Sequence, residues 1–459
     1  MRAGATTCRT PRCAPRARRG GRRGRAAPRS WPTVTGAASR TTSRPRCVRT
    51  PARSTGEPYT RRVATTEALK ERAIAAIDAI ADDLVEASHS IHARPELNYE
   101  EHHAHRVLTE MLGDARLAPV RGAYELPTAF EVTAGGIGPT VAVLCEYDAL
   151  PGIGHGCGHN IIATAGLGAG IALASLAEEA GGRLRLLGTP AEEGGGGKIE
   201  MARRGAFAGL DAAMMIHPAD EDHAKMSAIA IQQLFVRYSG RAAHAATSPE
   251  RGQNALDAAV LGYVHVAALR QHILPTERIH GIFTRAGEKP NIVPAETEMD
   301  WYVRSPTIES LQPLKARVAA CLESSATATG CTAHLEWQPN TYADVVDNMP
   351  LLAAYCDNSR RIGRHLTTEH VDGTGGSTDM GNVSYLVPSI HPMLAVAPAG
   401  VSLHTPEFAE HARGAEGDRA VVEGAKIMAL TAIDVWTSAD LRGRMRDEFG
   451  DGRVPDGVL

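Results

Sequence analysis

The order of apolar segments between residues 140 and 216 constrains the fold more than any other feature. Thr140–Cys145, Arg183–Leu187 and Ala212–Ile216 are short apolar runs, and the Ala-, Gly- and Leu-rich stretch Ile161–Ala180 has the length of a buried helix. Strand, helix and strand in this order predict a βαβ unit and an α/β sheet. Ligands of such sheets bind beyond the carboxyl ends of the strands, where each of these runs ends in polar residues.

A different pattern begins near Ala228. Two helical patterns alternate with runs typical of half-exposed strands, in the order βαββαβ that a small ferredoxin-like antiparallel sheet would give. The predicted segments are Ile229–Gly240, Gln253–Arg270, Ile279–Thr284, Glu296–Arg304, Thr307–Ser324 and Thr332–Gln338. We interpret them as a second domain inserted into the first, with a first strand free to pair across a two-fold axis.

The length of 459 residues fits two domains, because single cores stop growing at about 250–300 residues. The first domain is expected to open with an amphipathic helix, Thr66–Ile91, followed by a shorter one, Glu100–Leu112, and to finish with Gly414–Ser438. The predicted parts are a tail (1–62), the first domain (63–228 and 342–440), the inserted domain (229–341) and a C-terminal tail (441–459).

Residues 1–62 have a composition of their own, with 17 Arg, no Lys and a single acid. So few apolar residues cannot offset chain entropy, and we expect this segment to be disordered. Its bias toward Arg is typical of GC-rich DNA translated upstream of a start codon. A transit peptide and a nucleic-acid-binding arm are the alternatives.

The remaining chain holds 32 basic and 51 acidic residues, which argues against nucleic acid as a partner. The sequence shows neither an uninterrupted apolar run of about 18 residues nor a signal-peptide pattern, so we expect no membrane partner and a cytoplasmic location. Five Cys lie outside the tail at irregular spacing, and we expect them to be reduced thiols.

Polar segments with metal-binding side chains follow the predicted strands. They are Glu146–Pro151 with His155–Asn160, Thr189–Glu193, Met215–Pro218 and, near the end of the chain, Ser402–Phe408. Thiolate, imidazole and carboxylate together suit zinc or manganese. Taken singly, Cys157 reads equally as a buried apolar residue, His217 and His404 as ordinary histidines, and Glu192-Glu193 as a solvated loop. Their common placement at the sheet edge favours a metal site.

These motifs, with His92–Leu97, resemble those of the dinuclear metallo-amidohydrolases grouped as metallopeptidase family twenty. This family includes aminoacylases, carboxypeptidase G-type enzymes, and indoleacetyl-amino-acid and aminobenzoyl-glutamate hydrolases. The resemblance covers roughly residues 66–438, and Glu146–Asn160 is most similar to the aminobenzoyl-glutamate hydrolase and dipeptidase branch. It implies a metallopeptidase-type catalytic domain with an inserted lid and dimerisation domain.

The resemblance also implies roles for individual residues. Two divalent metal ions, zinc or manganese, are expected on Cys157, His159, Glu193, His217 and His404. Glu192 takes the position of the general base, and Asp148 that of a carboxylate orienting a ligand. The family's His-x-Asp is replaced by Glu146-Tyr147-Asp148, so one His ligand is absent, as in the Cys-Gly-His subgroup.

In the inserted domain, His244 resembles a residue that reaches the active site of the partner subunit in a homodimer. Asn291 and Arg304 match positions that contact substrate, and Arg304 offers a planar fork suited to a carboxylate. Gly375–Asp379 resembles a glycine-rich loop at the substrate pocket, and a purely structural turn explains it equally well.

We therefore predict metal-dependent hydrolysis of an amide bond in a small molecule: an N-acyl amino acid, an aminobenzoyl-glutamate-like compound or a dipeptide. A narrow dipeptidase or carboxypeptidase is the alternative, because it uses the same chemistry. A catalytically silent metal-binding protein is disfavoured by the presence of Glu192 and His244 alongside the ligand set.

Overall fold

The computed structural model describes residues 64–368, 376–450 and 454–459. The Arg-rich segment 1–62 and Gly375 lie outside the described residues. The helices are α1 Thr66–Asp78, α2 Ala81–His92, α3 His102–Asp114, α4 His159–Leu176, α5 Gly197–Arg203, α6 Ala255–Leu269, α7 Ile308–Thr329, α8 Met349–Arg361, α9 Met380–Ser384, α10 Pro406–His411, α11 Ala415–Thr437 and α12 Ala439–Phe449. The strands are β1 Val120–Arg121, β2 Phe130–Gly135, β3 Thr140–Glu146, β4 Arg183–Thr189, β5 Ala212–Met214, β6 His217–Ala219, β7 Ala230–Ser239, β8 Arg278–Arg285, β9 Glu296–Ser305, β10 Thr332–Trp337, β11 Ser389–Ile390 and β12 Met393–Ala395.

The larger sheet is mixed and has the order β1-β2-β4-β3-β5-β11. Strands β4, β3, β5 and β11 run parallel, while β2 pairs antiparallel with β4. Helix α4 forms the crossover from β3 to β4, which confirms the predicted α/β unit. The carboxyl ends of β3 and β4 lie side by side, since Glu146 is in register with Thr189.

Helix α4 is the central helix of this layer and packs against β3 and α11. Glycine permits the close approach, because a Cβ at Gly166 would lie 2.6 Å from the Leu144 carbonyl oxygen. By length and composition α4 is apolar enough to cross a membrane, yet most of it is buried inside the fold. We attribute its apolarity to this central position.

Residues 230–337, called the inserted module below, form a second layer with its own apolar core. Their antiparallel sheet has the order β10-β7-β9-β8, with α6 and α7 packed together and against strands β7 and β9. The element order is the predicted βαββαβ. The expectation that the first strand pairs across a two-fold axis is wrong, because β7 is bonded on both sides by β10 and β9. The edge strands are β8 and β10.

Two further expectations differ from the structure. The single helix expected over Thr66–Ile91 is broken at Ala79 and Ile80, so that α1 packs mainly against α11 and α2 mainly against α4. The described residues of the expected C-terminal tail, 441–450 and 454–459, pack against the fold, because Leu441 and Met445 of α12 are buried in the larger core. Val458 is buried in the core of the inserted module. The few apolar residues of these segments stand among many charged ones and gave too weak a periodic signal.

Candidate active site

The five predicted metal ligands, with Asp148 and Glu192, lie at the carboxyl edge of the larger sheet. Asp148 follows β3 and Glu192 and Glu193 follow β4, while His217 begins β6 and His159 begins α4. His404 lies in the loop before α10, where its backbone N–H donates to the Gly156 carbonyl oxygen at 2.9 Å. The topology thus brings the ends of several segments to one point, as an α/β sheet does for its ligands.

The loop that carries Glu192 contains a residue with a strained backbone, held in place by a hydrogen bond. Ala191 has a φ of 60°, a left-handed conformation that costs energy for a residue with a Cβ. Its N–H donates to Glu101 Oε1 at 2.9 Å, and the buried Glu101 also accepts from Thr128 Oγ1 at 2.7 Å. The buried Glu101 side chain therefore stabilises the strained conformation of Ala191. That conformation determines the direction in which the next residue, Glu192, points.

Two groups of candidate metal ligands share one sulfur atom. Cys157, His159 and His217 have ligand atoms within 4.8 Å of one another, and so do Cys157, Glu193 and His404. Cys157 Sγ lies 3.6 Å from His217 Nε2 and 3.3 Å from His404 Nε2. Tetrahedral zinc with bonds of about 2.3 Å to sulfur and 2.0–2.1 Å to nitrogen separates such atoms by about 3.5 Å. The five predicted ligands therefore lie together, in a spacing that suits two ions.

The ring nitrogens of two histidines are oriented for metal binding. His159 Nδ1 lies 2.9 Å from the Asp148 carbonyl oxygen, and His217 Nδ1 lies 2.7 Å from that of Pro218. A carbonyl oxygen only accepts, so each Nδ1 donates and each Nε2 is the ring atom left to bind a metal ion. His159 Nε2 and Glu193 Oε1 are buried and form no hydrogen bond within the described residues. Such atoms cost about 1–3 kcal/mol each unless something binds them, and a cation satisfies both.

Asp148 orients two of these ligands at once. Its Oδ1 lies 3.2 Å from His159 Nδ1, and its Oδ2 accepts from the Glu193 backbone N–H at 2.9 Å. Burial alone would raise the pKa of Asp148, but the hydrogen bond and charge of His159 lower it. The carboxylate is therefore ionised and holds a histidine and a carboxylate ligand in place.

The electrostatics of the site favour the neutral forms of its acids. Burial raises the pKa of Glu192 well above its usual range, with further contributions from the nearby Glu146 and Glu193 carboxylates. Burial likewise raises the pKa of Glu193 and of the Cys157 thiol, and lowers that of His217 to about 4. A bound divalent cation reverses this balance for its ligands. Glu192 is not among the five predicted ligands, so its carboxyl group is left free of them to exchange a proton.

A cavity of about 760 Å³ opens onto these residues, and the inserted module forms part of its wall. Arg304 lines it, and its Nε is buried and forms no hydrogen bond to the residues that the structure describes. His244 and Asn291 are exposed on the inserted module and do not line the cavity. His244 Nδ1 accepts from the backbone N–H groups of Ala246 and Thr247 at 3.2 Å, which leaves Nε2 to donate outward. Within one chain the structure therefore does not bring His244 and Asn291 to the other site residues.

A buried ion network beneath the site was not predicted. Lys198 Nζ pairs with Glu146 Oε2 and, at 2.7 Å, with Asp379 Oδ1. Burial alone would lower the pKa of Lys198, but the Asp379 and Glu146 carboxylates raise it. In the sequence, the only indication of this network was a single lysine after a glycine run, because its partner Asp379 lies 181 residues away.

Asn160, whose role the motif left open, donates from Nδ2 to Ser88 Oγ and to the Ala412 carbonyl oxygen. These hydrogen bonds connect α4 to α2 and to the end of α10.

Tyr342 is a second residue that sequence reasoning missed. Its hydroxyl donates to the Glu192 carbonyl oxygen at 2.7 Å, and its ring lines the cavity. Its backbone N–H and carbonyl also pair with Ile231, at 3.0 and 2.9 Å, where the chain enters the inserted module. The two connections between the larger domain and the inserted module are thus bonded to each other and to the loop that carries Glu192.

A buried glutamate beside two groups of candidate metal ligands is typical of metal-dependent hydrolases of amide bonds. A family model for peptidases M20/M25/M40 matches residues 142–434, and the chain belongs to this family.

Full-length relatives and solved structures agree with this assignment. The chain is 42% identical to Xaa-Arg dipeptidase of Mus musculus, over 86% of this chain and 95% of that protein. It is 29% identical to a p-aminobenzoyl-glutamate hydrolase chain of Escherichia coli, over 81% of this chain and 93% of that one. Its fold is similar to that of a dinuclear metal-binding M20 peptidase from Bacillus subtilis, with a TM-score of 0.63, 19% identity and coverage of 78% and 99%.

Proposed function

We propose that this enzyme is a dipeptidase that cleaves dipeptides with a cationic C-terminal residue. The proposal rests on one geometric observation, the buried Glu192 beside two ligand groups that share Cys157. The substrate class is drawn from the full-length similarity to Xaa-Arg dipeptidases of mouse and human, at 42% and 40% identity. Arg304 in the cavity wall suits the substrate's terminal carboxylate.

The five ligands Cys157, His159, Glu193, His217 and His404 would hold two divalent ions, zinc or manganese. Bound there, the ions supply a water of lowered pKa and polarise the substrate carbonyl. Glu192 accepts a proton from the attacking water and delivers it to the departing amine. Asp148 keeps His159 and Glu193 in place during the cycle, and Arg304 fixes the substrate through its carboxylate.

A hydrolase of aminobenzoyl-glutamate or of N-acyl amino acids is the second candidate. It is favoured by the 29% identical Escherichia coli relative, and its substrates also end in a carboxylate that Arg304 would bind. The two candidates differ in the groups on either side of the cleaved bond, so the choice of substrate separates them.

The test is a hydrolysis panel on protein loaded in turn with zinc, manganese and cobalt. It contains alanyl- and β-alanyl-arginine, the matching dipeptides ending in alanine, aminobenzoyl-glutamate and acetylated amino acids. We expect kcat/KM to be highest for the arginine dipeptides, with no turnover by the Glu192→Gln control. Higher kcat/KM for aminobenzoyl-glutamate or an acetylated amino acid would replace the proposal with the second candidate.

We further propose a homodimer formed through the inserted module. Exposed apolar side chains lie on α6 and on the edge strand β8, among them Val260, Leu261, Val264, Ile282 and Phe283. Apolar side chains beside an unpaired strand edge are typical of an interface between copies. His244, exposed and away from its own cavity, would then serve the partner's site as an oxyanion donor.

Mixing two inactive variants tests this sharing. His244→Ala and Glu192→Gln chains should each be nearly inactive alone. A mixed dimer holds one site with both residues intact, so it should recover up to half of the wild-type activity per dimer. Val264→Glu should separate the subunits in sedimentation experiments. Absence of recovery in verified mixed dimers, or full activity of a monomer, would rule out sharing.

For location we propose the cytoplasm. The support is that all five cysteines among the described residues are unpaired, which fits a reducing compartment. Fractionation of cells that express the protein would test this, and recovery outside the cytoplasm would contradict it.

A further inference from the structure

The carboxyl group of Glu146, the last residue of β3, has two different environments. Oε2 pairs with Lys198 Nζ, and both side chains are buried. Oε1 lies 3.1 Å from His159 Nε2, yet neither atom forms a hydrogen bond within the described part of the chain. Glu146, His159 and Glu192 also make up a third group whose ligand atoms lie within 4.8 Å of one another. An oxygen and a nitrogen thus face each other in the interior at ion-pair distance, without an aligned hydrogen bond between them.

The contact between these atoms is an ion pair when no metal is bound. Burial alone would lower the pKa of His159, but the Glu146 carboxylate and the hydrogen bond to Asp148 raise it well above its usual range, so the imidazole is protonated. His159 Nδ1 donates to the Asp148 carbonyl oxygen at 2.9 Å, which leaves Nε2 as the ring atom that faces Oε1. A divalent cation that replaced the Nε2 proton would bind both Nε2 and Oε1, two buried atoms without a hydrogen bond among the described residues.

The direction of the contact favours a metal ion over a proton. A proton on Nε2 would point along the ring axis, and Oε1 lies too far off that axis for a hydrogen bond to form. Two ligands that bind one ion at about 2.1 Å and at a right angle lie about 3.0 Å apart, with the second ligand off the first ligand's axis. The observed 3.1 Å fits that arrangement.

We propose that Glu146 Oε1 is a sixth protein ligand of the metal pair, bound to the ion that His159 holds. This inference rests on the proposed metal site. Lys198 neutralises the other oxygen and keeps the carboxylate monodentate. A further oxygen ligand gives this ion a higher coordination number and a harder ligand set than Cys157, His159 and His217 alone. Both changes favour manganese over zinc at this position.

The experiment compares Glu146→Gln with the control Asp379→Asn, since both variants remove one carboxylate from Lys198 and only the first removes the proposed ligand. Metal-free full-length protein is titrated with cobalt, and bound metal is measured by elemental mass spectrometry together with the visible absorption. For Glu146→Gln we expect one of the two ions to bind at least tenfold more weakly. Its absorption per bound cobalt should rise, because cobalt with fewer ligands absorbs more strongly. Asp379→Asn should retain the wild-type stoichiometry and spectrum.

Wild-type stoichiometry, affinity and spectrum in Glu146→Gln would overturn the inference while leaving the proposed function intact. A wild-type protein that binds no pair of ions would instead overturn the proposed site itself. If Glu146→Gln does not fold, the ligand count is read from X-ray absorption of the wild-type protein loaded with manganese. Six protein ligands over two ions support the inference, and five exclude it.

Discussion

The replacement of Asp148 by Asn tests how strongly the residues behind the ligands control metal binding. The carboxylate accepts from the Glu193 backbone N–H at 2.9 Å and lies 3.2 Å from His159 Nδ1. Asparagine has nearly the same shape but a single acceptor oxygen, so its NH₂ group must face one of these donors. The change therefore places two donors against each other in the interior while preserving the packing.

The expected loss follows from that mismatch. One buried donor without an acceptor costs about 1–3 kcal/mol, which corresponds to about 5–150-fold in a binding constant. Partners behind metal ligands typically contribute about 10–100-fold to metal affinity. We expect Asp148→Asn to bind metal about 10–100-fold more weakly and to regain activity when metal is added in excess. The unmatched donor is buried with or without metal, so the metal-free form should also lose about 1–3 kcal/mol of stability, partly offset by relief of the repulsion that raises the pKa of Glu101 and Glu193.

The assay is competition with a chelator of known affinity, paired with thermal melting in the presence and absence of metal. Asp220→Asn is the matched control, since Asp220 also lines the cavity but accepts from the Gly400 backbone N–H rather than from a ligand. Metal affinity of Asp148→Asn within about threefold of wild type would refute the reasoning. Equal weakening in both variants would attribute the effect to the charge of the cavity instead.

Three further predictions concern the base, the strained turn and the Arg-rich segment. Glu192→Gln should keep both metal ions and the melting temperature while lowering kcat by about 100-fold or more, and substantial residual turnover would place the base elsewhere. The pKa of Glu101 is raised from 4.5 to about 7, chiefly by burial and also by Asp148, so the folded state binds a proton that the unfolded chain has released. Its contribution to stability falls as pH rises from about 4.5 to 7, and Glu101→Gln should flatten the melting temperature across that window. Removal of residues 1–62 should leave melting temperature and kcat/KM unchanged, and a large fall in either would show that this segment is part of the folded enzyme.

Local patterns in the sequence were sufficient for the framework of this fold. The βαβ unit and the βαββαβ module were predictable because apolar periodicity differs between strands and helices. The placement of Cys157 and His159 after a strand was enough to predict where the site lies, since an α/β topology brings such ends together.

Contacts between residues far apart in the sequence could not be predicted from these local patterns. The pairing of Lys198 with Asp379, the bond from Tyr342 to the Glu192 loop and the interior position of β7 depend on tertiary neighbours. Burial of Val458 in the inserted module is a further example, because nothing in its neighbouring residues indicates a packed segment.

The pairing of Ile231 with Tyr342 has a consequence for protein engineering. The two connections to the inserted module are bonded to each other, and one of them donates a hydrogen bond to the loop that carries Glu192. A chimera that exchanges this module between relatives would cut the chain at these two positions. If the junctions separated Ile231 from Tyr342, so that the two residues came from different relatives, Glu192 would be misplaced even if both domains of the chimera folded. A functional exchange should therefore transfer residues 231 and 342 together with a matched 192–196 loop.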